Sequence, residues 1–175
     1  MKPPAIAVVG GKKVGKTTTT EKLITELTSR GYKVAAIKHI SEPDFTMDTA
    51  GKDTWRYGQA GAKTVVAVAP KEIATIEKTP TKKASLSKFL KKCRDNDVVL
   101  LEGFKKTVAR KTTIPKIAVV TSKEEAAVAL ETYKPIIAFS GPYSPKRLNP
   151  AIPYSDATRS PGKLADIIEQ TVLKK

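Results

Sequence analysis

Short apolar runs alternate with segments of helical spacing along the chain, a pattern that predicts an α/β protein with a mostly parallel sheet. Runs without polar interruption are typical of buried strands. Strands are predicted at 5–9, 33–39, 97–103, 116–120 and 135–140. Helices are predicted at 16–30, 53–60 and 122–131, at the C-terminus, and around an apolar face of Leu86, Phe89, Leu90 and Cys93. A loop is predicted at 40–52.

Two further segments predict a β-hairpin extension. The runs "TVVAVA" (64–69) and "EIATIE" (72–77) have strand length, and Pro70-Lys71 between them suits a turn. No linker, repeat or low-complexity segment divides the chain. A single domain over residues 1–175 is therefore expected, with one sizeable core.

The last third of the chain predicts an irregular segment followed by a helix. The Pro-rich stretch 141–155 is expected to be a surface excursion. Ser160 is predicted as the N-cap of the final helix and Pro161 as its first residue. The inward face is predicted to carry Leu164, Ile167, Ile168 and Val172.

A glycine-rich loop after the first strand predicts a nucleotide site. Gly10 and the Gly15-Lys16-Thr17 triplet fit the pattern G-x-x-x-x-G-K-[ST], between a predicted strand and a predicted helix. Glycines let backbone N–H groups converge on an anion, and the helix start adds a positive end. Lys16 is predicted to contact the β and γ phosphates and act in catalysis, and Thr17 to bind Mg²⁺. The predicted nucleotide-binding residues are Gly10, Gly11, Lys12, Lys13, Val14, Gly15, Lys16, Thr17 and Thr18.

An acidic residue ends the strand "DVVLLEG". Glu102 lies where ligands bind in open α/β sheets, so it is predicted to join Thr17 in holding Mg²⁺. A carboxylate beside an apolar strand needs a cation, and Lys16 or Mg²⁺ would provide one. Gly103 is expected to leave room for a phosphate or a mobile loop.

The segment "GKDTWRYGQAGA" (51–62) leaves two interpretations open. Asp53 could orient a water through Mg²⁺ and Arg56 could grip a phosphate with its planar guanidinium, which would make both catalytic. Alternatively, Asp53 is a helix N-cap and Arg56 a solvated charge. Lys38 and His39 are also ambiguous, although the end of their strand should face the nucleotide crevice.

The charge of the chain is strongly positive, with 32 Lys and Arg against 17 Asp and Glu and a net charge of +15. A generally basic surface is the first interpretation, an anionic ligand or acidic partner the second, and nucleic acid the last, because no aromatic residues interleave with a basic run. No apolar run has the length of a membrane span and the start lacks a signal-peptide layout, so a cytoplasmic location is expected. A single cysteine excludes an internal disulfide.

Four motifs occur along the chain in this order: "VVGGKKVGKTTTTEKLI", "AAIKH", "DTAGKDTWRYGQAGA" and "LLEGFK". Their order and spacing resemble those of the MobB family, the molybdopterin-guanine dinucleotide biosynthesis adapters. The resemblance covers roughly the first 120 residues. It implies a P-loop NTPase sandwich of three layers that binds GTP and Mg²⁺, hydrolyses GTP slowly, and forms a homodimer. It also implies a guanylyltransferase partner and a molybdopterin-type anionic ligand. Contacts to the pterin or the partner are expected at Lys38, His39, Asp48 and Lys52.

Two further likenesses support individual residues. "DTWRYGQAG" is similar to the switch element of signal-recognition-particle GTPases, which implies magnesium, water and phosphate contacts for Asp53 and Arg56. "LLEG" resembles the acid-glycine element of dethiobiotin synthetase. The chain departs from the family where further histidines often follow Lys38-His39, and it lacks a clean N-K-x-D motif, of which "TSKEE" (121–125) is only a faint echo. An ATP-dependent small-molecule enzyme of kinase or dethiobiotin-synthetase type is the alternative function, and a nucleic-acid-binding module is the third.

Overall fold

The computed structural model describes residues 2–80 and 84–174 and contains seven strands and six α-helices in those ranges. The strands are β1 (Ala5–Gly10), β2 (Val34–Lys38), β3 (Thr64–Ala69), β4 (Glu72–Glu77), β5 (Val98–Glu102), β6 (Lys116–Val119) and β7 (Ile136–Ser140). The helices are α1 (Lys16–Ser29), α2 (Asp53–Gln59), α3 (Leu86–Lys92), α4 (Lys105–Val108), α5 (Lys123–Thr132) and α6 (Pro161–Ile168), and a π-helix (Glu169–Leu173) follows α6. None of these helices is long and apolar enough to cross a membrane.

The chain forms two compact units, one of residues 1–39 with 86–175 and one of residues 40–85. The first unit carries a five-stranded sheet in the order β2-β5-β1-β6-β7, and every neighbouring pair is parallel. All six residues of β1 are buried. Because the strands are parallel, their carboxyl ends share one edge, and the loops that follow β1 and β5 begin there. The single domain expected over residues 1–175 stays a prediction.

Apolar side chains cover both faces of this sheet, which confirms the predicted three-layer α/β arrangement. Successive residues of β1 point to opposite faces. Ile6 and Val8 belong to a cluster with Leu23 and Leu27 of α1 and with residues of α6. Ala5, Ala7 and Val9 belong to a second cluster, with residues of α3, α4 and α5.

The second unit contains the predicted hairpin. β3 and β4 pair antiparallel over the predicted bounds, with Val65 opposite Ile76 and Ala69 opposite Glu72. Val65 is buried, whereas Val66, Val68 and Ile73 on the other face are exposed. The alternation along β3 is that of a hairpin with one covered face. The hairpin extension is therefore confirmed.

The structure differs from the sequence prediction in two segments after β5. The short helix α4 was not predicted, because four residues are too few to show a helical period. The surface excursion expected at 141–155 is wrong in part: Gly141 and Pro145 are buried, and Tyr154 pairs with Phe139 of β7.

The C-terminal helix is also only partly as predicted. Ser160 occupies the N-cap and Pro161 follows it. The hydroxyl of Ser160 makes no capping hydrogen bond to the described residues. The α-helical part ends at Ile168, and the backbone continues as the π-helix. Leu164 and Ile168 are fully buried, while Ile167 and Val172 are partly buried against the same cluster.

A lysine is enclosed at the amino-terminal end of β6. Lys116 has no exposed surface, and its ammonium donates to the carbonyl of Lys111 at 2.7 Å and to that of Lys134 at 2.6 Å. Burial lowers the pKa of Lys116. The two carbonyls compensate part of the cost of removing this charge from water.

Arg30 joins the end of α1 to the C-terminal helix. Its guanidinium donates to Glu26 within α1, to Asp166 at 2.8 Å and to Glu169 at 2.7 Å. Tyr32 donates its hydroxyl to the second oxygen of Glu169 at 2.9 Å. One cation therefore holds three carboxylates that would repel each other without it.

We expect Arg30→Met to lower the free energy of unfolding by about 2 kcal/mol, because hydrogen bonds to charged groups are lost and three carboxylates remain together. Urea unfolding measures this. The matched control is Arg94→Met, since Arg94 has only a 3.6 Å ion pair with Asp95 and both side chains are exposed; the expected loss is below about 0.5 kcal/mol. Equal midpoints for the two variants would contradict the role of Arg30.

Candidate nucleotide site

The loop between β1 and α1 has a conformation that requires glycine at two points. A Cβ atom on Gly10 would lie 2.4 Å from the carbonyl oxygen of Val119, which is far too close for any other residue. Gly15 has a φ of 96° and lies at the N-cap of α1. The predicted reason for these glycines, a tightly curled backbone, agrees with this geometry.

The loop between β1 and α1 presents backbone N–H groups from which no described residue accepts a hydrogen bond. The N–H groups of residues 11–15 donate to no other residue in the part of the chain that the structure describes. The start of α1 has no side-chain cap and no acidic residue in its first turn. Unpaired donors next to the positive end of a helix are the donor set that a phosphate group needs. The loop therefore fits the phosphates of a nucleotide.

The side chain of Lys16 folds back onto the loop. Its ammonium donates to the carbonyl of Gly11. Burial lowers the pKa of Lys16, the positive charges of Lys105 and Lys38 lower it further, and Glu102 and Glu125 act in the opposite direction. Lys16 thus lies in a site with an excess of positive charge, which favours an anionic ligand.

Glu102, Thr17 and Lys38 are in direct contact. The hydroxyl of Thr17 donates to Oε1 of Glu102 at 2.8 Å, and the ammonium of Lys38 lies 3.3 Å from the same oxygen. The Glu102 side chain is only 11% exposed. Its ion-pair partner is therefore Lys38. Of the two cations expected beside Glu102, Lys16 or Mg²⁺, Lys16 instead donates to the carbonyl of Gly11, and Mg²⁺ stays a prediction. Lys38 reaches Glu102 because the two residues lie side by side in the register of β2 and β5.

The same contacts test whether Mg²⁺ fits. A hydroxyl and a carboxylate oxygen at 2.8 Å are ligands of the kind that Mg²⁺ prefers, and both face the phosphate loop. No group of three or more His, Cys, Asp or Glu side chains suited to a metal occurs among residues 2–80 and 84–174. Thr17 and Glu102 would thus hold the ion together with phosphate oxygens.

A sharp turn follows Glu102, and the next helix begins at Lys105, close to Lys16 of the phosphate loop. Gly103 and Phe104 both have positive φ values, 85° and 55°. Phe104 is buried, with its ring 5.3 Å from that of His39 and 6.4 Å from that of Phe89. A Cβ atom on Gly103 would lie 3.3 Å from Cβ of His39. Gly103 therefore allows close packing with His39, whereas the expectation from the sequence was room for a phosphate or a mobile loop.

This turn places Lys105, which sequence analysis did not select, close enough to Lys16 to lower the pKa of that residue. Lys105 is the last residue of the motif "LLEGFK", which also contains Glu102 and Gly103.

Glu125 is a second residue of this site that sequence analysis did not assign. Its backbone N–H donates to the side chain of Ser122, the N-cap of α5, and its carboxylate accepts from the N–H and the hydroxyl of Thr121 at 2.7 and 2.8 Å. A Cβ atom on Gly11 would lie 2.9 Å from this carboxylate. The segment "TSKEE" therefore caps a helix and packs against the phosphate loop.

The other predicted residues belong to the second unit, where they are neighbours. The carboxylate of Asp48 accepts from the hydroxyl of Thr54 at 2.8 Å. Lys52 occupies the N-cap of α2, so Asp53 is the first helical residue and not the N-cap of the alternative interpretation. Asp53 and Arg56 form an ion pair at 3.6 Å, with side chains 79% and 70% exposed. Their contact with a nucleotide stays a prediction.

The structure has a P-loop NTPase-like fold. Its parallel sheet carries the glycine loop after β1, a Lys-Thr pair at the start of α1 and an acid at the end of the adjacent strand. A family profile described as "Molybdopterin guanine dinucleotide synthesis protein B" (MobB) matches residues 5–141. The chain therefore belongs to the MobB family.

Individual relatives agree with this assignment. A molybdopterin-guanine dinucleotide biosynthesis adapter protein of Haemophilus influenzae is 39% identical over 117 residues, which cover 65% of this chain and 61% of that protein. A putative adapter protein of the same description from Methanocaldococcus jannaschii is 37% identical over 123 residues, covering 68% of this chain and 48% of the relative. The chain thus matches less than two thirds of the length of these relatives.

Solved structures support the fold. The crystal structure of Bacillus subtilis MobB superposes with a TM-score of 0.73 at 22% identity and covers 95% of this chain and 97% of that one. At this identity, the likeness shows the shared architecture of sheet, helices and hairpin.

We expect Lys105→Met to raise the pKa of Lys16, because it removes a like charge, and Glu125→Gln to lower it, because it removes an opposite one. A pH titration of the Lys16 side chain by NMR measures both shifts. Lys106→Met removes the same charge one residue further along the chain and serves as the control. A Lys16 pKa that is unchanged in Lys105→Met would show that the turn does not bring the two ammonium groups together.

Proposed function

We propose that this protein binds GTP with Mg²⁺ at the loop of residues 10–18 and assists the transfer of a guanylyl group to molybdopterin. The product would be the guanine dinucleotide form of the molybdenum cofactor. The observation that carries the phosphate site is the set of unpaired N–H groups in residues 11–15 beside the Lys16 ammonium. Membership of the MobB family supports the pathway.

The roles of the site residues follow from what each group can do. The loop N–H groups would bind the phosphates, and Lys16 would exchange the Gly11 carbonyl for the β and γ oxygens. Thr17 and Glu102 would hold Mg²⁺, which supplies charge neutralisation between those oxygens when it is bound. Asp53 would orient the attacking water and Arg56 would contact the transferred phosphate. Intrinsic hydrolysis would be slow, so the protein would act mainly as an adapter.

The partners would be the molybdenum cofactor guanylyltransferase and a second copy of this chain. A net charge of +15 suits an anionic pterin phosphate and an acidic protein surface. Lys38, His39, Asp48 and Lys52 are the proposed contacts to pterin or partner. The cytoplasmic location expected from the sequence stays a prediction.

Calorimetric titration with GTP, ATP, CTP and UTP in the presence of Mg²⁺ tests the nucleotide assignment. We expect GTP to bind most tightly and Lys16→Ala to lose about 1.5–3 kcal/mol of binding free energy, because a charged phosphate contact is removed. Lys22→Ala is the matched control, since Lys22 is an exposed lysine of the same helix. Preferential binding of ATP would instead favour the ATP-dependent enzyme, and unchanged affinity in Lys16→Ala would remove the loop from the site.

Conservative changes at Asp53 and Arg56 test the catalytic roles. Asp53→Asn keeps the shape of the side chain but loses the negative charge that would orient water through Mg²⁺. Arg56→Lys keeps the positive charge but loses the planar guanidinium that would grip two phosphate oxygens. We expect both to slow GTP hydrolysis about tenfold or more, with GDP affinity and melting temperature nearly unchanged because both side chains are exposed. Glu72→Gln, in an exposed position of the same unit, is the control. Normal turnover in both variants would leave this segment a structural helix start.

A further inference from the structure

The Lys38 ammonium contacts both oxygen atoms that are the proposed ligands of the metal ion. Its ammonium is 3.3 Å from Oε1 of Glu102 and 3.4 Å from Oγ1 of Thr17, and these two oxygens are 2.8 Å apart. The three atoms form a compact triangle. A monovalent side-chain cation therefore sits where a divalent ion would find its protein ligands.

The backbone holds Lys38 in this place. Lys38 ends β2 opposite Glu102 of β5, and the next N–H, that of His39, donates to the Glu102 carbonyl at 3.0 Å. Glu102 is nearly buried, so its carboxylate needs a cation close by. The Lys38 side chain is 52% exposed, so its end has room to move.

We propose that Lys38 is a built-in competitor of the divalent cation: its ammonium neutralises Glu102 in the nucleotide-free protein, and Mg²⁺ displaces it. This inference rests on the proposed function. A metal ion with two charges replaces an ammonium with one charge on the same oxygens, so the displaced ammonium loses its anionic partner. Phosphate oxygens supply a new one. Lys38 is thus a positioning residue that couples the arrival of the metal to the arrival of the phosphates.

The surrounding charges strengthen this coupling. Lys16 and Lys105 contribute further positive charge to the same region. A displaced Lys38 ammonium without phosphate would be repelled by both. The metal alone should therefore bind weakly, and the metal with a nucleotide should bind well.

The first experiment measures Mn²⁺ binding to the nucleotide-free protein by electron paramagnetic resonance. We expect Lys38→Met to bind Mn²⁺ about three- to fivefold more tightly than the wild type, the upper part of the range for a partly exposed ion pair. Lys33→Met is the matched control, because Lys33 is exposed, precedes the same strand at its other end and carries the same charge. Lys38→Gln repeats the test with a polar side chain if Lys38→Met folds poorly, and thermal unfolding checks both.

A second arm links this effect to Glu102. In a Glu102→Gln background the Lys38→Met change should no longer alter Mn²⁺ affinity, because the shared carboxylate charge is gone. Lys38→Arg should restore the wild-type value, since it keeps a cation at this position. The inference would be overturned if wild type and Lys38→Met bound Mn²⁺ equally well or if neither bound it. Weaker binding to Lys38→Met would also overturn it.

A third arm uses GTP and separates this inference from the proposed function. In Lys38→Met, the Mg²⁺ concentration for half-maximal GTP binding should fall about three- to fivefold. GTP affinity without metal should also fall, because the Glu102 carboxylate would then lack its cation beside the phosphates. Failure of the wild type to bind any nucleotide would reject the proposed function, and the Mn²⁺ result would still decide the role of Lys38. GTP binding with the same Mg²⁺ dependence in both proteins would retain the function and overturn the inference.

Discussion

The parallel register of β1 with its two neighbours fixes the candidate site. Val8 lies opposite Glu102 of β5, Gly10 lies opposite Val119 of β6, and Glu102 in turn lies opposite Lys38 of β2. Because side chains alternate along a strand, a slip of one residue would turn Glu102 to the other face of the sheet and away from Thr17. Burial of β1 on both faces makes such a slip costly. The packing of the sheet and the chemistry at its edge are therefore set by the same pairing.

The site satisfies its charged groups within the protein, while the N–H groups of residues 11–15 donate to none of the described residues. Lys16 donates to the loop, Lys38 is paired with Glu102, and Glu125 is bound by Thr121. The remaining excess of positive charge and the unpaired N–H groups both point to the same kind of ligand, a polyphosphate. The contact of Lys16 with the Gly11 carbonyl is one that such a ligand could take over at little cost, because an equivalent acceptor arrives with it.

The sequence was sufficient for most of the fold and for part of the site. Apolar periodicity located the strands and most helices, and the hairpin bounds were correct because Pro70-Lys71 separates two alternating runs. The glycine-rich loop and its Lys-Thr pair form a local pattern, so the sequence alone predicts the loop. Its binding of phosphate stays a prediction. Lys105 and Glu125 were missed because their proximity to Lys16 arises from tertiary packing, through the turn at Phe104 and the cap at Ser122. The pairing of Lys38 with Glu102 depends on strand order, which no local pattern encodes.

The enclosure of Lys116 has a consequence for chemical labelling. Only the neutral amine reacts with acylating reagents, and only when the reagent can reach it. Burial lowers the pKa of Lys116, but the side chain has no exposed surface and is bound by two carbonyls, so a reagent cannot reach its amine in the folded protein. In a chain rich in accessible lysines, this residue should be acylated only when the sheet opens. Its rate of modification, read by mass spectrometry, is therefore a measure of how often the folded protein unfolds.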